Sequence, residues 1–303
     1  MSRSSSPVFT QRNEGDSGRF YISEVSEFSY YLPSDETERE RLNLQSQLFY
    51  ELFDNRYILP PISFKEGDII LDSGTGSGHW LSSVAKHVPE TVQLRGIDIS
   101  SRIFPPPSLT PPNVTFKTGS ITSLPKEWNN YISFIHQRLL IGSLQEHHWK
   151  KSLSEMYRVL VPGGWVQLQE PNWTLTSPSQ MIRDHTAYAL KNELCRKRLT
   201  VWDIVKHLAS WLEQAGFVNV ELVEKIRLPL GSWGGERGRF GLKNILELFR
   251  GFKKPIMDGG GLGLVGGGGA FDAMLNDLKA QCEATPETYY KYSVFIGQKP
   301  YSS

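Results

Sequence analysis

The chain has 303 residues, with 33 Lys and Arg against 32 Asp and Glu, and the resulting formal charge of +1 leaves no electrostatic excess that would point to nucleic acid or an acidic membrane. Its 39% hydrophobic content is enough for a buried core, no apolar run approaches the ~18 residues of a membrane span, and Met1-Ser-Arg-Ser-Ser-Ser lacks the apolar stretch of a secretory signal, so a soluble, cytoplasmic protein is expected. Cys195 and Cys282 lie far apart with no CxxC spacing, which excludes a disulfide framework and a zinc site and leaves two reduced thiols.

Residues 1–18 are Ser, Asn, Gly and charge, too little apolar surface to offset chain entropy, and read as a disordered tail. A helical cap is expected over 19–60. There Ser34 can cap a helix, Asp35, Glu36 and Glu38 sit in its first turn, and Leu42, Leu44, Leu48, Phe49, Leu52 and Phe53 recur at helical spacing. This helix is placed to cover either its own pocket or that of a second copy, so a homo-oligomer stays open. Strand and helix then alternate. Asp68–Leu71, Val92–Asp98, Val114–Lys117, Tyr131–His136 and Trp165–Glu170 read as strands, Gly78–Val88 and the Trp149, Leu153, Met156, Leu160 face as helices, and Pro162-Gly-Gly164 as a turn. A helix from Val201 to Ala215 ends at Gly216 before a strand over Val218–Leu228, and a last strand runs from Tyr289 to Gln298. The fold class is α/β, a mostly parallel Rossmann-like sheet over 61–230 and 286–300 with helices on both faces.

Residues 231–285 exceed what a hairpin needs. They hold an amphipathic stretch, Phe240–Phe252, and the run Gly259–Gly269, in which eight of eleven residues are glycine and which is expected to act as a hinge or a disordered loop. A lid over the ligand edge of the sheet, forming the acceptor-binding insertion, is the expected role.

The turn after the first strand reads Leu71-Asp-Ser-Gly-Thr-Gly-Ser-Gly-His-Trp-Leu81. A dinucleotide site uses G-x-G-x-x-G so that a pyrophosphate can reach the helix N-terminus. Here Gly74, Gly76 and Gly78 are spaced G-x-G-x-G, the tight form used by Rossmann-type S-adenosylmethionine enzymes, whose cofactor carries no phosphate. Asp98 closes the next strand in Arg95-Gly-Ile-Asp-Ile99, twenty residues after Gly78, where a carboxylate can accept both ribose hydroxyls.

With these residues the chain resembles the class I S-adenosylmethionine-dependent methyltransferases, and within them the fungal LaeA-like (UMTA-type) family. The likeness runs from about Tyr30 to Pro300 and rests on Tyr31-Leu-Pro-Ser-Asp-Glu36, Glu40-Arg-Leu-Asn-Leu-Gln45, the glycine loop, Pro111-Pro-Asn-Val114, Phe134-Ile-His-Gln-Arg138 with Gly142-Ser143, Pro162-Gly-Gly164, Gln167-Leu-Gln-Glu170, Leu228-Pro-Leu-Gly-Ser-Trp233 and Gly297-Gln-Lys-Pro300. The resemblance implies strand order 3-2-1-4-5-7-6 with the last strand antiparallel. It implies S-adenosylmethionine as cofactor, with Tyr30 among the residues that bind it, Asp72, Gly74, Gly76 and Gly78 on the methionine and ribose side, and Asp98 and Ile99 on ribose and adenine. Where many relatives bind the adenine amino group with an acid, this chain reads Lys117-Thr-Gly-Ser-Ile121, so Ser120 and Ile121 take that place with a weaker acceptor.

Methyl transfer is an in-line displacement and needs alignment and exclusion of water more than a covalent nucleophile. If the acceptor must lose a proton, His136 and Glu170 at the ends of the fourth and fifth strands are the catalytic candidates; His136 is also placed beside the sulfonium, and His79 reads as structural. Arg138, Trp173 and Trp233 are candidates for the acceptor pocket, Arg138 for an anionic group or for a pair with Glu170. No His, Cys, Asp or Glu set has metal-ligand spacing. Cys195-Arg-Lys-Arg198 keeps a nuclear location open. Three functions remain: methylation of the oxygen, nitrogen or sulfur of a small fungal secondary metabolite, a nuclear regulator that binds the cofactor and works through protein partners, and a cofactor-binding protein that catalyses a cyclisation.

Overall fold

The computed structural model describes residues 18–21 and 32–301, leaving aside the side chains of Trp173, Thr174 and Glu224. Asp68 leads into β1 (Ile69–Ser73), whose five residues are all buried, as a strand covered on both faces must be. In chain order follow α2 (His79–Val84) after the earlier α1 (Glu36–Leu52), then β2 (Gln93–Asp98), β3 (Val114–Thr118), β4 (Ile132–Arg138), α3 (Glu146–Val159), β5 (Leu160–Thr176), α4 (Gln180–Arg183), α5 (Thr186–Arg198), α6 (Leu208–Gln214), β6 (Val218–Pro229), α7 (Gly235–Asp258), α8 (Gly268–Ala284) and β7 (Tyr289–Gln298). The seven strands form one sheet in the order β3-β2-β1-β4-β5-β7-β6. β1 to β5 pair in parallel, and β7 inserts antiparallel to both β5 and β6.

Alternate residues of each strand serve opposite faces. Ile70 and Phe134 join Trp80, Leu81 and Val84 on the α2 side. Leu71 and Ile135 join Trp149, Leu153, Leu208 and Leu212 of α3 and α6 on the other. A third core lies where β5, β6 and β7 run on past the sheet: Phe49 of α1, Tyr188 of α5, Phe249 of α7, Phe271 of α8 and Tyr290 of β7 meet there. The N-terminal helix and the 231–285 segment therefore form one helical cap. Arg41 of α1 donates to the Asn244 side chain of α7 at 3.1 Å, and the Tyr21 hydroxyl to the Gly251 carbonyl at 3.0 Å.

Several elements differ from expectation. Asp35, not Ser34, caps α1, because its carboxylate takes Glu38 N at 3.0 Å together with Arg19 Nε at 2.7 Å and Phe20 N at 3.1 Å. α2 stops at Val84 rather than Val88. Pro162-Gly-Gly164 lies inside β5 instead of turning the chain; Gly163, at φ +83°, lets the strand deform while its N–H still reaches the Lys299 carbonyl at 2.9 Å. The 201–215 stretch divides into a 3₁₀ turn over Ile204–Lys206 and α6. The glycine-rich run is not a single loop: Gly260–Gly263 make a 3₁₀ turn, and Gly268 and Gly269 open α8, which buries Phe271, Met274, Leu275, Leu278 and Cys282.

Candidate active site

The carboxyl ends of β1, β2 and β4 open into a cavity with about 1200 Å³ of empty space, its mouth included. This is where an open α/β sheet binds ligands. Gly74, Thr75, Gly76 and Ser77 form one end with Asp98. Arg138 to Ser143, the turn after β4, make the floor, and Arg41, Leu42 and Gln45 of α1 one wall. The far end is apolar and aromatic, with Phe249 and Phe252 of α7, Tyr290 and Tyr292 of β7, and Lys191 of α5. α1 thus covers the chain's own cavity.

The glycine loop is set by backbone geometry. Gly74, Gly76 and Gly78 all have positive φ, and a Cβ at Gly78 would stand 2.5 Å from the Phe116 ring, so that glycine serves close packing of α2 on β3 rather than the cavity wall. Asp98 accepts from Gly76 N at 2.8 Å and from Ser100 N at 3.2 Å, which fixes its carboxylate against the loop. Burial raises its pKa and those N–H groups lower it.

Asp72 and His136 stand elsewhere than the strand ends alone suggest. They are register partners on adjacent parallel strands, side by side on the same face. His136 is 1% exposed, its Nδ1 is 2.7 Å from Asp72 Oδ1, and its ring stacks on Trp80 at 3.9 Å. The other Asp72 oxygen accepts from the Thr75 hydroxyl at 2.7 Å. The bond to a carboxylate places the His136 proton on Nδ1, and burial, outweighing Asp72, lowers its pKa and keeps the ring neutral. Nε2 is buried without a hydrogen-bond partner. Neither residue lines the cavity; through Thr75 the pair holds the glycine loop from below.

Glu170 is fully buried and also off the cavity wall. It does not pair with Arg138. Its oxygens accept from Leu140 N at 2.8 Å and Ile141 N at 3.1 Å, so it anchors the floor, whose entry at Leu139 has φ +58°. Burial pushes its carboxyl up to about 8 against the pull of those N–H groups. Arg138 lines the cavity with no ion pair among the described residues, its guanidinium pushed down to about 10 by burial and still charged at neutral pH.

Of the other expected residues, Ser120 spends its hydroxyl on Thr122, 2.8 Å away, and neither it nor Ile99 nor Ile121 lines the cavity. Trp233 donates to the Cys282 carbonyl at 3.0 Å and borders a separate surface hollow with Tyr289 and Arg227, so the structure does not bring it to the cavity. Tyr30 and the Trp173 side chain lie outside the described residues. Arg41, Gln45, Lys191, Tyr290 and Tyr292 escaped sequence reasoning, although Arg41 and Gln45 belong to the Glu40–Gln45 motif. Among the described residues no three His, Cys, Asp or Glu side chains group as metal ligands do.

The donors present fit S-adenosylmethionine. Asp98 presents an acceptor for ribose hydroxyls, the backbone of Gly74 to Ser77 allows close approach, and Arg138 and Arg41 offer guanidinium groups for an amino-acid carboxylate. Arg41 is itself held by both oxygens of Glu38, at 2.6 and 2.9 Å. Asp98 is the single carboxylate among the described lining residues.

A family model described as a methyltransferase domain matches residues 44–222. The N-methyltransferase sirN of Leptosphaeria maculans is 33% identical over 238 residues, 75% of this chain and 81% of that protein. The N-methyltransferase gliN of Aspergillus fumigatus is 29% identical over 286 residues, 91% and 98% of the two chains. The secondary metabolism regulator LAE1 of Hypocrea atroviridis is 27% identical over 231 residues, 73% of this chain and 63% of that one. Among solved structures, a Haloferax volcanii putative methyltransferase in complex with the Trm112 methyltransferase activator aligns with TM-score 0.50 at 15% identity, covering 88% of this chain and 96% of that one, a likeness of fold. No helix among the described residues is long and apolar enough to cross a membrane. Sheet order, glycine loop, Asp98 and family match agree: the chain belongs to the methyltransferase-domain family, as an S-adenosylmethionine-dependent methyltransferase of the class I, fungal LaeA-like group.

Proposed function

We propose that the chain transfers a methyl group to a nitrogen of a small, largely apolar secondary metabolite, an oxygen acceptor being the nearest variant. The observation that carries this reading is the continuity of the cavity, from the Asp98 and glycine-loop end to the aromatic end formed by Phe249, Phe252, Tyr290 and Tyr292. The curated relatives named as N-methyltransferases support nitrogen over oxygen. When bound, S-adenosylmethionine supplies a methyl carbon activated by the adjoining sulfonium. The protein's residues then have defined tasks. Asp98 holds ribose, the Asp72–Thr75 contact keeps the loop in place, and Glu170 fixes the floor on which the reacting atoms meet. Aromatic faces at the far end favour cationic charge and exclude water.

In this reading α1 with residues 231–285 is the cover over the acceptor, and α7 is its moving part, since the helix is bounded by Gly234 and Gly259. Slower hydrogen exchange across Phe240–Phe252 on adding S-adenosylhomocysteine is the expected sign, and unchanged exchange would leave the segment a fixed wall. The assay of function is calorimetric binding of S-adenosylmethionine, followed by incubation with a small-molecule extract of the organism that carries the gene and a search for a mass gain of one CH₂. Binding with such a product supports the proposal. Binding without one moves the weight to a regulator that acts through a protein partner.

A further inference from the structure

We propose that Lys191, on the wall where the metabolite lies, is the proton acceptor of the transfer step; the inference rests on the methyltransferase reading above. Lys191 sits on the face of α5 that turns inward, in line with Ala187, Tyr188, Leu190, Leu194 and Cys195, all buried. A lysine at 5% exposure is rarely kept on a core face, and this one opens onto the cavity between Tyr290, Tyr292 and the Phe249–Phe252 edge of α7. Its Nζ stands 5.4 Å from the Tyr188 ring.

The described groups packed around it come from α5 itself and from β7, α8, α1 and α7. On α5 itself, burial holds the Tyr188 hydroxyl far above its usual range. On β7, Tyr290 and Tyr292 are raised in the same way. On α8, burial pushes the Cys282 thiol up to about 12, while Asp277 is exposed and lies 3.2 Å from His185 Nε2. α1 brings Arg41, already held by Glu38, and the inward residues of α7 are apolar but for Asn244. Burial pushes Lys191 down to about 7, opposed by Cys195 on the next turn. That value matches a general base working near neutrality, and a neutral amine, unlike an ammonium, tolerates the cofactor's sulfonium nearby. Among the described residues no other candidate base stands on this wall, since His136 and Glu170 do not line the cavity and Asp98 belongs to its ribose end.

The step balances. The lone pair of the acceptor nitrogen or oxygen forms the bond to the methyl carbon, the carbon–sulfur bond breaks with its electrons remaining on sulfur, and neutral S-adenosylhomocysteine results. The acceptor's N–H or O–H proton passes to Lys191 Nζ, which becomes an ammonium and later returns the proton to water. An acceptor that must shed a proton is therefore the substrate class implied.

Two measurements on the full chain test this. The first needs no acceptor: timed reaction with 1-fluoro-2,4-dinitrobenzene across pH, read peptide by peptide by mass spectrometry. Lys191 is expected to label with a midpoint near pH 7. A midpoint above pH 9, or no labelling of Lys191, overturns the proposal. The second compares Lys191→Met and Lys191→Gln with the parent, using S-adenosylmethionine carrying a labelled methyl group and the extract described above. Turnover should fall by about 10²–10⁴ with loss of the acidic limb of the pH profile, and S-adenosylhomocysteine affinity should hold. An acidic limb retained in both variants overturns it. Loss of cofactor binding in the parent itself would instead defeat the methyltransferase reading.

Discussion

Glu170 offers the sharpest separation between a residue that takes part in the chemistry and one that builds the site. In Glu170→Ala the N–H groups of Leu140 and Ile141, now held at 2.8 and 3.1 Å, lose their acceptor inside a buried turn. Each stranded buried donor costs about 1–3 kcal/mol, so the pair costs about 2–6 kcal/mol. With an unfolding entropy of about 2.1 cal/mol/K per residue over 303 residues, that corresponds to a drop in Tm of about 3–9 °C. The floor residues Leu139 to Ser143 line the cavity, so affinity for S-adenosylhomocysteine should fall with stability. Differential scanning calorimetry and ligand titration on the same preparation measure both. A variant with parental Tm and parental affinity but a turnover lower by three orders of magnitude would refute the reasoning and return Glu170 to the chemistry.

The same carboxyl gives a pH signature. Its pKa in the fold, about 8, lies above the ~4.3 of an unfolded glutamate, so the folded state favours the protonated form; the stabilisation is complete below pH ~4.3 and fades as pH rises toward 8, by up to about 1.4 kcal/mol per pH unit. Glu170→Gln, which cannot ionise, should lose that slope in Tm between pH 5 and 8.5, and an unchanged slope would show that the carboxyl is ionised throughout. Asp98→Asn keeps the shape of the side chain but removes its charge and leaves one of the two backbone N–H groups it holds without an acceptor, so it should weaken S-adenosylhomocysteine binding about 10–100-fold and lower Tm; parental affinity by calorimetry would displace the ribose site. His136→Ala empties the space beside Trp80 and strips Asp72 of one partner, so it should cost about 2–4 kcal/mol of stability in denaturant titrations and lower cofactor affinity together with turnover. Loss of turnover alone would mark His136 as a catalytic base.

What the sequence disclosed followed from local signals. Strand, glycine turn and helix are contiguous, so the loop at Gly74 to Gly78 and the acid at Asp98 were readable in one dimension, as was the alternation that makes the sheet. Strand-end position told which edge of the sheet His136, Asp72 and Glu170 occupy, but not whether their side chains reach the ligand. Parallel register would have helped: Asp72 and His136 are opposite one another, and a carboxylate next to an imidazole on one face pairs with it before it meets a ligand. Lys191 and Arg41 come from helices whose placement over the sheet is set by packing far along the chain, for instance Arg41 on Asn244. The cavity they face is not visible from their own segments. α8 shows the opposite failure, since Phe271, Met274, Leu275, Leu278 and Cys282 carry a helical stripe that the glycines before them obscured.

The central claim is that one cavity holds the cofactor at its Asp98 end and a small methyl acceptor at its aromatic end. Incubation of the protein with S-adenosylmethionine bearing a deuterated methyl group and a metabolite extract, analysed by mass spectrometry, tests it most directly. The account predicts a small molecule that gains the deuterated methyl with the parent chain and gains it far more slowly with Asp98→Asn. Cofactor bound by the parent chain, with the label confined to protein or transferred nowhere, would contradict it.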